Sequence, residues 1–462
     1  MPTLTLQITP NQLTLGLLDE PQLCYALLTI DAQGAGDRRP VNWALVADAS
    51  RSMRIPIVDE AQFRALLRDG GAQETLVDGV PVWQLTAPVP ADIRAAAPSA
   101  LDFVARALHS VVERLDGHDH FALVAYAEEA VLLNRSTSGA DRVELVRGIS
   151  RLKSLNLGEQ TDMAQGIQLA LNELRRGRAA RNGPARAERL LLLTDGFTQR
   201  PDECLRLAGA AAGEGVAIST VGLGGEFQED VLTGLADRSG GRAVFLRKPD
   251  DIPRAVAAEL GAARAVAARG VALRADLADG VALRRLTQIR PALRTLADDR
   301  RPTTDDRPGT DDRSVEIRLG DLEANMPITL LLELLAPPRP AGPALLGRVA
   351  VAGDDAPAAT AELRVDYRGQ ASPPSREVLD AAARANAARL QRRALETTAR
   401  GDAPEAARLL RAAAARLDDL GERALAEIAR GQAATLEQGG PASPLATKEL
   451  AYATRRLGEF NG

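Results

Sequence analysis

The run Val41-Asn42-Trp43-Ala44-Leu45-Val46-Ala47-Asp48-Ala49-Ser50-Arg51-Ser52 decides the fold of this chain. Its first seven residues are almost continuously apolar, the pattern of a strand buried on both faces of a parallel sheet. The strand ends in D-x-S-x-S. One carboxylate and two hydroxyls at alternate positions of a five-residue turn can point their oxygens at one place, which suits a hard divalent cation. These residues predict a metal site and not a catalytic serine.

Two later segments carry the same chemistry. Gly158-Glu159-Gln160-Thr161-Asp162 precedes an amphipathic helix, and Leu190-Leu191-Leu192-Leu193-Thr194-Asp195-Gly196 is an apolar strand that ends in a carboxylate. In an open parallel sheet such connections meet outside the carboxyl ends of the strands, so three dispersed segments can build one site. Strand and helix patterns alternate from Val41 to Leu260, as in a doubly wound α/β domain. Strands are expected at 41–47, 121–126, 130–133, 189–194, 217–222 and 243–246. Helices are expected at 100–115, 140–152, 163–176, 202–214, 229–236 and 252–260, and Glu128-Glu129 reads as a hairpin turn.

This arrangement resembles a von Willebrand factor A domain with a metal-ion-dependent adhesion site. The resemblance rests on the D-x-S-x-S run, the Thr161-Asp162 pair, the Asp195-Gly196 pair and the closing helix and strand from Glu229 to Phe245, and it covers nearly half of the chain. It implies that Asp48, Ser50, Ser52, Thr161 and Asp195 hold an ion, usually Mg2+, with Mn2+ or Ca2+ as alternatives. It also implies that a Glu or Asp of a partner protein completes the shell. The family usually has Gly where this chain has Arg51, which changes no ligand but sets a bulky cation beside the ion, where a partner would meet it. A shell rich in neutral hydroxyls favours binding over hydrolysis, because a hydrolase also needs a placed base or a second metal. Glu159 and Asp162 are the further carboxylates in these loops.

The segment 53–98 departs from the simple pattern. It separates the metal loop from the capping-box-like start Ser99-Ala100-Leu101-Asp102, and holds a helical piece at 59–68. A hairpin of Thr75-Leu76-Val77 and Val80-Pro81-Val82-Trp83 follows, about Asp78-Gly79. Leaving from the metal loop, this insertion is expected on the metal-bearing face. Trp83 is there a candidate anchor for a partner, since aromatic residues are enriched among interface hot spots; pinning the insertion to its own domain is the plainer role for the same ring.

Residues 263–370 change character. Short alternating runs such as Val271-Ala272-Leu273-Arg274-Ala275 and Ser314-Val315-Glu316-Ile317-Arg318-Leu319 read as an antiparallel β-sandwich. The N-terminal strands of residues 1–38 are too few to form a domain and are expected to join it. The Rossmann-like A domain, 39–262, then reads as an insertion in the sandwich, as in integrin β chains by analogy of architecture. Residues 375–462 form a C-terminal helical bundle, with helices expected at 376–400, 404–420, 422–437 and 447–457. The Gly401-Asp402 turn before Pro404-Glu405-Ala406-Ala407 resembles one tetratricopeptide-type pair, too little for a repeat array. The whole is multidomain: α/β, all-β and α in one chain. This three-part order resembles bacterial A-domain proteins of the calcium-activated chloride channel-like group. Resemblance implies that intracellular members serve as adaptors beside AAA+ ATPases, kinases or other effector enzymes.

Composition narrows the alternatives. The net charge of −5 lacks the basic footprint of a nucleic-acid binder. Cys24 and Cys204 give no framework of bridges, no apolar run is long enough to span a bilayer, and the first thirty residues lack a basic n-region. A cytoplasmic location is expected from these features. His118-Asp119-His120 falls short of a zinc ligand set and reads as a solvated turn. The near-duplicate from Thr304 to Arg313 reads as a solvated hairpin loop. No G-x-x-x-x-G-K-[ST] run occurs. The expected function is a non-enzymatic, Mg2+-dependent adaptor or scaffold; a metal-dependent hydrolase using the same ion and a surface adhesin are the alternatives.

Overall fold

The computed structural model describes residues 2–33, 39–58, 60–77, 80–86, 90, 97–155, 157–158, 160–180, 186–224, 227–298, 301–302, 314–440 and 443–458. The expected Asp78-Gly79 turn and the 304–313 loop lie outside the described residues. The chain opens with β1 (Thr3–Pro10), β2 (Thr14–Gly16) and β3 (Gln22–Gln33). An α/β region follows: β4 (Val41–Asp48), α1 (Glu60–Arg68), β5 (Ala72–Val77), β6 (Val80–Leu85), α2 (Ala100–Arg114), β7 (His120–Tyr126), β8 (Ala130–Ser138), α3 (Arg142–Leu152), α4 (Met163–Ala179), β9 (Ala187–Thr194), α5 (Pro201–Gly213), β10 (Val216–Leu223), α6 (Glu229–Ser239), β11 (Ala243–Leu246) and α7 (Ile252–Arg264). Next come β12 (Val266–Leu277), β13 (Ala282–Arg290), β14 (Arg294–Asp298), β15 (Arg301–Pro302), β16 (Ser314–Glu323), β17 (Ile328–Ala336), β18 (Gly342–Gly353) and β19 (Ala356–Arg368). The chain closes with α8 (Arg376–Ala399), α9 (Ala403–Asp419), α10 (Arg423–Glu437) and α11 (Pro444–Arg455).

Every residue of β4 is buried, which is why its sequence shows no polar alternation. Val41, Trp43, Leu45 and Ala47 enter one core with α2, α3 and α7, while Ala44 and Val46 enter the other with α4, α5 and α6. The sheet order is β11-β10-β9-β4-β7-β8. All neighbours are parallel except β7 and β8. From β4 the chain runs outward to β7 and β8, then returns to β9 on the other side. The sheet therefore reverses its winding between β4 and β9, the position where doubly wound sheets place their sites.

Strand β8 runs to Ser138, beyond the expected 130–133, because neighbouring helices supply hydrogen bonds to its polar second half. Asn134 Nδ2 donates to the Glu144 carbonyl at 2.8 Å, and the Ser136 N–H to Glu173 Oε2 at 2.8 Å.

The N-terminal strands pair with strands from the other end of the chain. β3 runs antiparallel to β17, from Gln22 opposite Ala336 to Ile30 opposite Ile328, and β2 lies parallel to β19. The two sheets are ordered β1-β3-β17-β13-β14-β15 and β16-β12-β18-β19-β2. Leu28, Leu330 and Leu332 of the first share one core with Leu273, Leu346 and Val365 of the second. Arg39, just before β4, donates to the carbonyls of Val266 and Ala267 at 3.0 Å each, so the α/β region starts and ends side by side.

The helical tail touches both regions. Val378, Ala381 and Ala385 of α8 pack on Leu27, Ile289 and Leu331, on the outer face of the first sheet. Alanines on α8, α9 and α10 build a separate core with Leu409, Leu410 and Leu417. α11 turns to the α/β region, where Tyr452 stacks near Phe245 at 5.7 Å and Phe227 at 6.2 Å, and Arg455 pairs with Asp237 at 2.5 Å. α11 begins at Pro444 and not at the expected 447, because proline has no N–H to leave orphaned at the first helical position.

Burial pushes the Glu229 carboxyl, at the start of α6, up to about 7, against the pull of Lys448 and Arg455 and with a smaller push from Asp230. The folded value lies above the ordinary one. The associated stability is therefore full below the ordinary carboxylate range and is lost as pH rises through about 7. Glu229→Gln is expected to flatten this dependence and to raise stability above neutrality by on the order of 1–2 kcal/mol. Urea unfolding midpoints on either side of neutrality read the effect; an unchanged pH dependence in the variant contradicts it.

Candidate metal centre

Asp48 is the last residue of β4 and is wholly buried. Its Oδ1 accepts from the Ser50 N–H at 2.9 Å and its Oδ2 from the Thr194 hydroxyl at 2.7 Å. Burial pushes this carboxyl up, while the Ser50 and Thr194 hydrogen bonds pull it down, and burial prevails. Among the described residues no basic side chain forms an ion pair with it. A carboxylate taken out of water with only neutral donors is costly, and a cation relieves that cost.

The neighbouring oxygens converge. Ser50 Oγ and Ser52 Oγ lie 3.1 Å apart, and Ser52 Oγ donates to Asp195 Oδ1 at 2.7 Å. Thr161, nearly buried at the entry to α4, donates its hydroxyl to the Phe197 carbonyl in the loop after β9. Gly196 turns its open side to Thr161, and a Cβ there would stand 3.7 Å from Thr161 Oγ1. The structure thus joins Asp48, Ser50, Ser52 and Asp195 through hydrogen bonds and sets Thr161 against the Asp195 loop. Arg51 is exposed on the same turn.

The 53–98 insertion leaves from this turn. The Ile57 N–H donates to the Pro98 carbonyl at 2.8 Å, so its two ends are held together where α2 begins. Met53 at its root is buried in the domain core. β6 pairs with β5, with Trp83 opposite Glu74, but the Trp83 side chain lies outside the described residues.

Three residues that the motif reading passed over support the centre. Thr194 bridges Asp48 and the Gly196 N–H, which reaches it at 3.1 Å; its place immediately before Asp195 was the available signal. Tyr126 ends β7 directly beside Asp48 in register, and its hydroxyl is buried next to Thr194. Gln228 accepts from the Thr198 N–H at 3.0 Å, steadying the Asp195 loop from the far side. That contact joins distant segments and has no local signature.

Asp162 serves structure. It caps α4 and pairs with Arg200 at 2.5 Å. Burial raises its carboxyl, but Gln165 and Arg200 outweigh that and hold it below the ordinary range. Glu159 lies outside the described residues. The His118-Asp119-His120 turn is not wholly solvated as expected. Asp119 is buried, accepting from the Val41 N–H at 2.9 Å and from Arg264 at 2.7 Å, so its charge ties β4 and α7 to the turn. Among the described residues no three His, Cys, Asp or Glu side chains gather as a metal set. The candidate is therefore an oxygen centre built largely of hydroxyls, chemistry that fits a hard cation.

Residues 96–257 match the sequence profile of the von Willebrand factor type A domain, and residues 376–459 match that of the Sll0103-like, C-terminal alpha-helical domain. The Asp48 to Ser52 turn lies upstream of the first span, across the insertion. The chain is similar to the uncharacterized protein sll0103 of Synechocystis sp., at 23% identity over 258 residues, a match spanning 55% of this chain and 58% of that protein. Among solved structures, a von Willebrand factor type A protein from Catenulispora acidiphila superposes with a TM-score of 0.71 at 17% identity, over 98% of this chain and 97% of that one. The ArnB paralog VWA2 from Sulfolobus acidocaldarius superposes with a TM-score of 0.54 at 14% identity, over 100% of both chains. At these identities the likeness is one of fold.

Proposed function

We propose that this chain, which carries a von Willebrand factor type A domain and a Sll0103-like helical domain, is a non-enzymatic adaptor that captures a carboxylate of a partner protein through a bound divalent cation. Asp48, Ser50, Ser52, Thr161 and Asp195 would hold the ion, with Mg2+ the first choice and Mn2+ or Ca2+ alternatives. The ion would supply a Lewis-acidic position open to a Glu or Asp of the partner. The observation that carries this reading is the buried Asp48 carboxylate, answered only by neutral donors beside two hydroxyls and a second carboxylate.

Support for the non-enzymatic half comes from Asp162, whose ion pair with Arg200 leaves it a poor base for activating water. The pairing of β3 with β17 and the Arg39 contacts to β12 support reading the A domain as an insertion in a β-sandwich. The same order of parts supports placing the chain with the bacterial calcium-activated chloride channel-like A-domain proteins, as a cytoplasmic adaptor beside an AAA+ ATPase, a kinase or another effector. Among the described residues no helix is long and apolar enough to cross a membrane.

Capture of partner proteins by the full chain is expected in Mg2+, and is expected to fail in EDTA or after Asp48→Ala or Asp195→Ala. Capture indifferent to all three would overturn the proposal.

A further inference from the structure

Large apolar side chains stand in water on the two loops that the Ser52–Asp195 hydrogen bond joins. Phe197 is 57% exposed, Ile55 47% and Ile57 37%. Their backbones are pinned. The Phe197 carbonyl accepts from Thr161, and the next N–H, of Thr198, donates to Gln228 Oε1 at 3.0 Å. The Ile55 N–H donates to the Ser52 carbonyl at 3.1 Å and the Ile57 N–H to the Pro98 carbonyl at 2.8 Å. A phenyl ring presented to solvent on a held loop forgoes the free energy of burial. The same ring loses little freedom when a partner covers it, which is what makes a preorganised anchor effective.

Charge on this face selects the partner. Arg54 donates through Nε to the Ala49 carbonyl at 3.2 Å, while its Nη2 is buried without a hydrogen-bond partner. Arg51 is exposed three residues earlier. A divalent ion would offset the carboxylates of Asp48 and Asp195, and the Arg51 and Arg54 guanidinium groups on the same turn then favour an anionic group beside it.

We infer that this face takes an acidic protein segment whose metal-facing Glu or Asp adjoins a large apolar residue, with Phe197 as the apolar anchor and Gln228 as the residue that positions it. The inference rests on the metal reading proposed above. It adds a rule about the partner's sequence: an acidic residue alone is not enough.

The test uses the full chain and synthetic peptides with one central Glu. One set places Leu or Phe beside the Glu, a second has Ser there, and a third replaces Glu by Gln. Mn2+ affinity is measured separately by electron paramagnetic resonance. Peptides with Glu beside an apolar residue are expected to bind in Mg2+ and to be released by EDTA, and Phe197→Ser is expected to weaken them at least about ten-fold with Mn2+ affinity unchanged. Equal binding of the Ser-flanked set, indifference to Phe197→Ser, or no peptide binding by protein that holds Mn2+ overturns the inference and leaves the metal reading standing. Self-association abolished by Phe197→Ser would make the face a contact between copies and also overturn it. Failure of the wild-type protein to bind Mn2+ overturns the metal reading and this inference with it.

Discussion

Trp43→Ala is expected to destabilise the α/β region by about 3–5 kcal/mol, the usual cost of emptying a large aromatic site in a core. Trp43 is 1% exposed at the middle of β4 and meets Phe121 of β7 edge to face, with ring centroids 5.9 Å apart. Its neighbours in the core come from α2 and α7, so the cavity would open under the strand that delivers Asp48. Thermal unfolding reads the loss as a fall of about 10 °C in the transition of this region. A fall of less than about 3 °C would mean that the helices close over the gap and that β4 is not the pivot of the packing.

Asp48→Asn is expected to separate stability from binding. In the metal-free protein the wild-type carboxylate is wholly buried and is answered by neutral donors of Ser50 and Thr194. Replacing it by a neutral amide of the same shape removes a buried charge, and the Thr194 hydroxyl can turn to accept from the amide. The metal-free variant should be no less stable than the wild type. Mg2+ and Mn2+ affinity should fall at least about 100-fold, and the stabilisation of about 2.7 kcal/mol that an ion supplies at a hundred times its Kd should vanish. Differential scanning calorimetry with and without Mg2+ tests both halves. A variant much less stable without metal would make Asp48 a structural carboxylate. A variant that still gains stability from Mg2+ would move the ion elsewhere.

The parts of the fold legible in the sequence are those set by local pattern. β4 and β9 can be read from their nearly continuous apolar runs because each is buried on both faces, and α2 from its Ser99 to Asp102 capping box. The oxygen-bearing residues were legible because strand ends in a doubly wound sheet meet at one edge whatever the sequence distance between them. What depends on pairing across the chain was less visible. α8 buries Ala381 and Ala385 against a sheet and Ala387 and Ala394 against other helices, so it shows no single apolar stripe. The docking of Tyr452 between Phe227 and Phe245, and the hold of Gln228 on Thr198, join segments whose own periodicity says nothing of each other. Asp119 has the local pattern of a polar turn residue because its partner, Arg264, lies 145 residues away.

The most direct test of the metal centre is anomalous diffraction from crystals of the full chain soaked in Mn2+. One strong peak is expected among the oxygens of Asp48, Ser50, Ser52, Thr161 and Asp195, absent from crystals of Asp48→Asn. A soaked crystal with no peak between these side chains, or with the same peak in the variant, would contradict it.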